Sequence, residues 1–243
     1  MNKRLLIPSL LLCITFFIDL YLQYVQSEAR LYSKALLMPI LIWMFQRSQP
    51  GKTTIAYLIY AGLLFSWAGD ILLQFDRYNP LYFIAGLSSF LLTHICYITY
   101  LIRIEGENSS YLKKRPVMLL AVVAYTIELL YILWPGLQGM KIPVTIYAMV
   151  ISTMFAAAAW KYEQIHYQPA FYFIGGSFLF VLSDSLLAVN KFLRPVPISG
   201  FLVMSTYVAA QWLIIRGAIT YHTLYQPSDA EQNTPNENHP YIG

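Results

Sequence analysis

Gly69-Asp70-Ile71-Leu72-Leu73 lies inside an apolar run long enough to cross a membrane, and Ser183-Asp184-Ser185-Leu186-Leu187 repeats the arrangement in a second run. A carboxylate at such depth costs roughly 2.5–3.5 kcal/mol on insertion scales. Such residues face a bundle interior or a wet cavity, and by default they mark function. Two of them in matching local sequence predict a pair.

The rest of the chain agrees with a membrane setting. Its 243 residues are 58% hydrophobic and 12% charged, with a mean hydropathy of +0.52. A soluble domain carries about 25% charged residues. Apolar runs near 20 residues predict spans at 5–23, 30–46, 54–74, 81–103, 115–134, 142–160, 170–190 and 198–221. The fold class is therefore an all-α membrane protein, an eight-helix transmembrane bundle over residues 1–225. Residues 226–243 hold Pro227, Pro235 and Pro240 among polar residues, which predicts a disordered tail. Lys3 and Arg4 precede an apolar run without a small-residue cleavage site, so the first run reads as a retained helix. Cys13 and Cys96 fall inside apolar runs and read as buried free thiols, without metal or redox spacing.

Eight spans place both termini on one side. That side would carry Lys3, Arg4, Arg47, Lys52, Arg103, Lys113, Lys114, Arg115, Lys161 and Arg216. The other would carry Arg30, Arg77, Lys141, Lys191 and Arg194. Basic residues concentrate on the cytoplasmic side of membranes, so both termini are expected there, in the inner membrane if the source is bacterial. The formal charge of +4 sits in loops and sets topology; it does not indicate nucleic acid. Asp70 and Asp184 then lie toward the outer ends of spans three and seven, with Lys34, Asp19 and Glu128 in the same half.

A shift of 114 residues lays Asp70 on Asp184, Leu72-Leu73 on Leu186-Leu187, Gly62 on Gly176 and Gly86 on Gly200. It also lays span two on six and span four on eight. An even step in span number predicts parallel four-plus-four repeats about an axis along the membrane normal, bringing the two aspartates face to face.

Other polar residues within spans are candidates for the same site. Lys34 reads as a counter-ion to the carboxylates or a ligand for a lipid phosphate, or as a side chain snorkelling outward. His94 and Tyr97 share a face of span four and are read as site-lining. Gln211 in span eight is equally a site residue or interhelical glue. Asn190 ends span seven at the outer mouth. Asp19, near a helix end, and Glu128, without a flanking motif, read as structural. The 20 tyrosines mostly suit interfacial belts. There is no Gly-x-Ser-x-Gly elbow and no phosphate-binding glycine loop, and only His94 of four histidines is clearly within a span. Chemistry here would run on carboxylates, with no metal and no cofactor.

Several motifs taken together resemble a known family. They are Tyr-Ser-Lys-Ala-Leu-Leu-Met-Pro around Lys34, the Gly69-Asp70 motif, the stretch from Gly86 to Tyr97 that holds His94, the Ser183-Asp184 motif, and Ala209-Ala210-Gln211-Trp212-Leu213-Ile214. Five motifs in this order, from span two to span eight, resemble the YhhN-like integral membrane family, which includes the animal lysoplasmalogenases. The resemblance implies an eight-helix membrane hydrolase. Its substrate would be a lysophospholipid, a lysoplasmalogen, split at the vinyl ether bond into a fatty aldehyde and glycerophospho-ethanolamine or -choline. It assigns catalysis to Asp70 and Asp184.

The chemistry is compatible with the residues. Protonation of the double bond at carbon gives an oxocarbenium ion; water adds, and the hemiacetal collapses. The reaction asks for one carboxylic acid and one carboxylate, which a close pair in a low-dielectric site supplies. Lys34 would bind the head-group phosphate, with His94, Tyr97, Asn190 and Gln211 orienting substrate or water. The alternative from the residues alone is a transporter of a small metabolite or lipid, with the aspartates as proton relay. A third reading makes the aspartates interhelical glue.

Overall fold

The computed structural model describes residues 3–48, 54–106, 117–162 and 164–225. The expected tail at 226–243, and the expected loop cations Lys52, Lys113, Lys114 and Arg115, lie outside the described residues. Among the described residues eight long helices follow one another: α1 Lys3–Tyr24, α2 Arg30–Arg47, α3 Thr54–Gln74, α4 Pro80–Arg103, α5 Val117–Leu133, α6 Lys141–Lys161, α7 Tyr167–Phe192 and α8 Ser199–Tyr225. Two 3-10 turns, Trp134–Gly136 and Gln138–Met140, join α5 to α6.

Seven of these helices are long and apolar enough to cross a membrane. The exception is α2, whose 18 residues include Arg30, Lys34 and Arg47. It is nonetheless tightly held. Lys34, Leu37, Met38, Leu41, Met44 and Phe45 are buried along one stripe, the spacing of an amphipathic helix facing a core. The chain is thus a multi-pass integral membrane protein. Large apolar side chains such as Ile7, Phe17, Leu120, Ile142 and Phe178 lie exposed on the outside of the bundle, the surface that lipid would cover.

Local chemistry sets where the helices begin and end. The Asn79 carboxamide accepts from Leu81 N–H at 2.9 Å, and Pro80 occupies the first turn of α4, where no N–H is needed. His166 caps α7 by accepting from Gln168 N–H. Pro8 and Pro39 sit inside α1 and α2, as membrane helices tolerate.

The closest packed neighbours are α3 with α4, α7 with α8, and α1 with α2; α4 packs on α6, and α2 on α8. Small residues permit the tight pairs. A Cβ on Gly176 of α7 would stand 2.7 Å from Ile214 Cγ1 and 3.0 Å from the Ala210 carbonyl of α8. Valine there forces overpacking against backbone, and is expected to destabilise the protein by about 1–3 kcal/mol. Gly139→Ala, where nothing lies within 4 Å, is the silent control. Thermal unfolding of both variants in detergent checks this; equal midpoints would contradict the close approach.

The core along the bundle axis is aromatic. Phe45, Tyr97, Tyr100, Phe173 and Phe180 are fully buried. The cysteines depart from expectation in one respect. Both are free, but Cys13 is exposed on the outer face of α1 and Cys96 is half-buried, because an apolar run does not say which of its faces meets lipid.

Candidate functional site

Asp70 stands one turn before the end of α3, and Asp184 two turns before the end of α7. Both line a cavity of about 190 Å³. Lys34 and Tyr207 share its wall, and Asn190 stands there with its Oδ1 accepting from Val196 N–H at 3.0 Å.

Asp70 is held by two groups from other helices. Lys34 Nζ of α2 lies 3.3 Å from its Oδ1, and the Tyr207 hydroxyl of α8 donates to its Oδ2 at 2.7 Å. Asp70 is 2% exposed and Lys34 8%, so this is a buried ion pair. Of the roles expected for Lys34, the distance matches the counter-ion.

Asp184 is held differently. The Tyr147 hydroxyl of α6 donates to its Oδ2 at 2.5 Å. His94 Nε2 of α4 lies 2.9 Å from the same hydroxyl and 3.4 Å from Asp184 Oδ2. Tyr147 has one proton and gives it to Asp184, so it accepts from His94, whose Nε2 therefore carries hydrogen. His94 stands behind Asp184 and not on the wall of the 190 Å³ cavity.

Tyr97 and Gln211, expected to bind substrate, do not line that wall either. The Tyr97 hydroxyl donates to Gln211 Oε1 at 2.8 Å, and Gln211 Nε2 donates to Ser66 Oγ at 2.7 Å. Ser66 donates to Thr93, and Thr93 to the Gly62 carbonyl, each at 3.1 Å. This chain is fully buried and ties α3, α4 and α8 together, the glue reading of Gln211. None of its members lines the cavity.

The sequence reading missed Tyr147 and Tyr207, and read Asp19 as structural. Asp19 is wholly buried, accepts from Ser33 Oγ at 2.9 Å and faces Arg30 Nε at 3.7 Å. Glu128 is exposed on α5, away from the cavity.

Arg30, Gln23 and Gln74 line both the aspartate cavity and a larger vestibule of about 500 Å³. The vestibule also carries Glu28 and Arg77, paired at 3.3 Å. Asp184 also borders two small apolar grooves of about 40 Å³ each. Asp184 therefore stands between a polar approach and an apolar one. Among the described residues, no three His, Cys, Asp or Glu side chains are grouped to hold a metal ion.

Known proteins resemble this chain in sequence. The chain is 31% identical over 172 residues to "Lysoplasmalogenase TMEM86A" of Bos taurus, covering 66% of this chain and 65% of that one. It therefore spans just under two thirds of that relative's length. It is 29% identical over 157 residues to "Lysoplasmalogenase" of Mycobacterium tuberculosis, covering 64% and 58%. It is 27% identical over 184 residues to "Uncharacterized membrane protein YhhN" of Escherichia coli O157:H7, covering 74% and 81%. No solved structure matches. The sequence model of the YhhN family matches residues 29–218, more than half of the chain, and the protein belongs to that family.

Proposed function

We propose that this protein hydrolyses lysoplasmalogens inside the membrane, releasing a fatty aldehyde and a glycerophospho-ethanolamine or -choline. The observation that carries the reading is that two intramembrane aspartates from separate helices border one cavity, met by a polar vestibule and by apolar grooves. A single-chain lipid has the same two-ended character. The names of the bovine and mycobacterial relatives point to the same substrate.

Asp184, held by a hydroxyl and an imidazole, delivers a proton to the vinyl carbon distal to oxygen. The electron pair of the double bond forms the new C–H bond, leaving an oxocarbenium ion. Asp70, with Lys34 as its fixed counter-ion, is the carboxylate that steadies this cation and takes a proton from the attacking water. The hemiacetal then breaks its bond to the glycerol oxygen, which takes the proton held by Asp70, while the hemiacetal hydroxyl gives its proton back to Asp184 as the aldehyde forms. Water is consumed and no net proton is gained or lost.

Tyr147 and Tyr207 position the two carboxylates. Removing either hydroxyl, as Tyr147→Phe or Tyr207→Phe, is expected to lower kcat about tenfold with little change in KM, the size of one hydrogen bond to a charged group. Equal loss through KM would point to substrate binding instead.

The proposal includes eight crossings, with α2 as the eighth, cytoplasmic termini, and two parallel four-helix repeats. The packing supports the repeats. Stepping each helix by four converts α1–α2, α2–α3 and α3–α4 into α5–α6, α6–α7 and α7–α8, and exchanges α4–α6 with α8–α2, all of which are packed pairs. Asp70 on α3 is held from α2 and α8, and Asp184 on α7 from α6 and α4, the same exchange. The buried chain beneath the aspartates favours hydrolysis over transport, since it fills the axis a transported molecule would follow.

The reading is tested by incubating the purified protein with lysoplasmenyl-ethanolamine and with its ester analogue. Aldehyde from the first, and no fatty acid from the second, is expected. Fatty acid from the ester would assign a different reaction.

A further inference from the structure

The two halves of the chain place opposite chemistries around the same aspartates. On one side the cavity wall carries Gln23, Arg30, Lys34 and Gln74. The residues 114 positions later are Leu137, Val144, Ala148 and Ala188. Val144, Ala148 and Ala188 line the grooves beside Asp184, and Leu137 packs with Val144 in one buried apolar cluster. Buried Asp19 likewise has Leu133 as its counterpart, in the same cluster. Under the repeat, then, the charged wall of the first half has an apolar image in the second.

The two grooves share Val144, Tyr147, Asp184 and Ala188. One continues between α4, α6 and α7 past Leu87 and Phe192; the other continues between α5, α6 and α7 past Ile151 and Val181. Among the described residues, no charged group other than Asp184 lines either of them. A hydrocarbon chain gains about 0.8 kcal/mol per methylene removed from water, and nothing from a wall of arginine and lysine. A single-chain lipid reacting at the aspartates therefore has one apolar exit and one polar one.

We infer that the Val144–Ala188 surface of α6 and α7 seats the start of the substrate's hydrocarbon chain, while its polar end lies toward Arg30 and Gln74. The chain passes Asp184 and leaves into lipid on the side of α5 and α6, not on the side of α2 and α3. This deepens the hydrolase reading and rests on its single-chain lipid substrate.

Two measurements test it. In the first, Ala148→Trp and Ala188→Trp narrow the seat. Activity on long-chain alkenyl lysolipids should fall about tenfold or more relative to short-chain ones, with head-group preference unchanged. Equal loss at all chain lengths, or no loss, overturns the seat. The second needs no turnover. A saturated ether lysophospholipid with bromine on its chain is titrated against Val144→Trp, with Leu64→Trp on the exposed face of α3 as control. The expected result is saturable quenching at position 144, reversed by the unbrominated lipid and absent at position 64. Quenching that is equal at both positions and not displaced overturns the seat. Saturable quenching without any aldehyde release would keep the seat and remove the hydrolase reading.

Discussion

Asparagine at Asp184 or at Asp70 is expected to lower aldehyde release by about 10²–10⁴-fold, the range for removing a positioned acid or base. The two variants differ in what else they disturb. In Asp184→Asn the new carboxamide oxygen still accepts from Tyr147, and no lysine or arginine loses its partner. In Asp70→Asn the carboxamide oxygen still accepts from Tyr207, but the charge facing Lys34 is gone. Asp184→Asn is therefore the cleaner probe, and its unfolding midpoint should stay close to that of the parent. Because the aspartates act as a unit, the double variant should be little worse than the weaker single one. Rates that fall additively would argue for two independent contributions. Activity retained in folded Asp184→Asn would remove it from the chemistry.

The second large effect is on stability. Lys34→Met keeps the length of the side chain and deletes its charge. Asp70 would then be a carboxylate at 2% exposure with only Tyr207 as partner. Breaking one side of a buried pair costs about 3–5 kcal/mol, because the remaining charge is left uncompensated. Combining Lys34→Met with Asp70→Asn removes both charges and should recover most of that loss. A double-mutant cycle from denaturant unfolding in detergent measures the coupling. A double variant as unstable as the sum of the singles would mean that the 3.3 Å contact contributes nothing of its own.

These effects differ in how far the sequence exposed them. Length and hydropathy alone marked the eight long helices of the described residues, because each apolar run is bounded by charge, proline or glycine. Seven meet the demands of a span, while α2 is held by its buried stripe despite Lys34. Asp70 and Asp184 were legible because an apolar run makes a carboxylate conspicuous. Tyr147 and Tyr207 were not, since 20 tyrosines in a membrane chain suit the interface and nothing local marks the two whose hydroxyls turn inward. Tyr97 and Gln211 were legible as polar groups in need of partners, but the partners themselves were not. Polarity within a span signals that a partner is needed, and these two, 114 residues apart, are each other's partner. Depth along the bundle axis, which puts them beneath the cavity, is not written in residue type. Asp19 was read as structural from its place near the end of α1, and it is α2 that covers that end, where Ser33 and Arg30 meet it.

The most direct test of the central claim follows the proton. The reaction is run in deuterated water with lysoplasmenyl-ethanolamine, and the aldehyde is trapped as it forms. Acid-initiated vinyl ether hydrolysis puts one deuteron on the carbon next to the carbonyl, and Asp184→Asn abolishes that labelled product. Aldehyde without deuterium at that carbon, or labelled aldehyde formed equally well by Asp184→Asn, would contradict protonation by the aspartate pair.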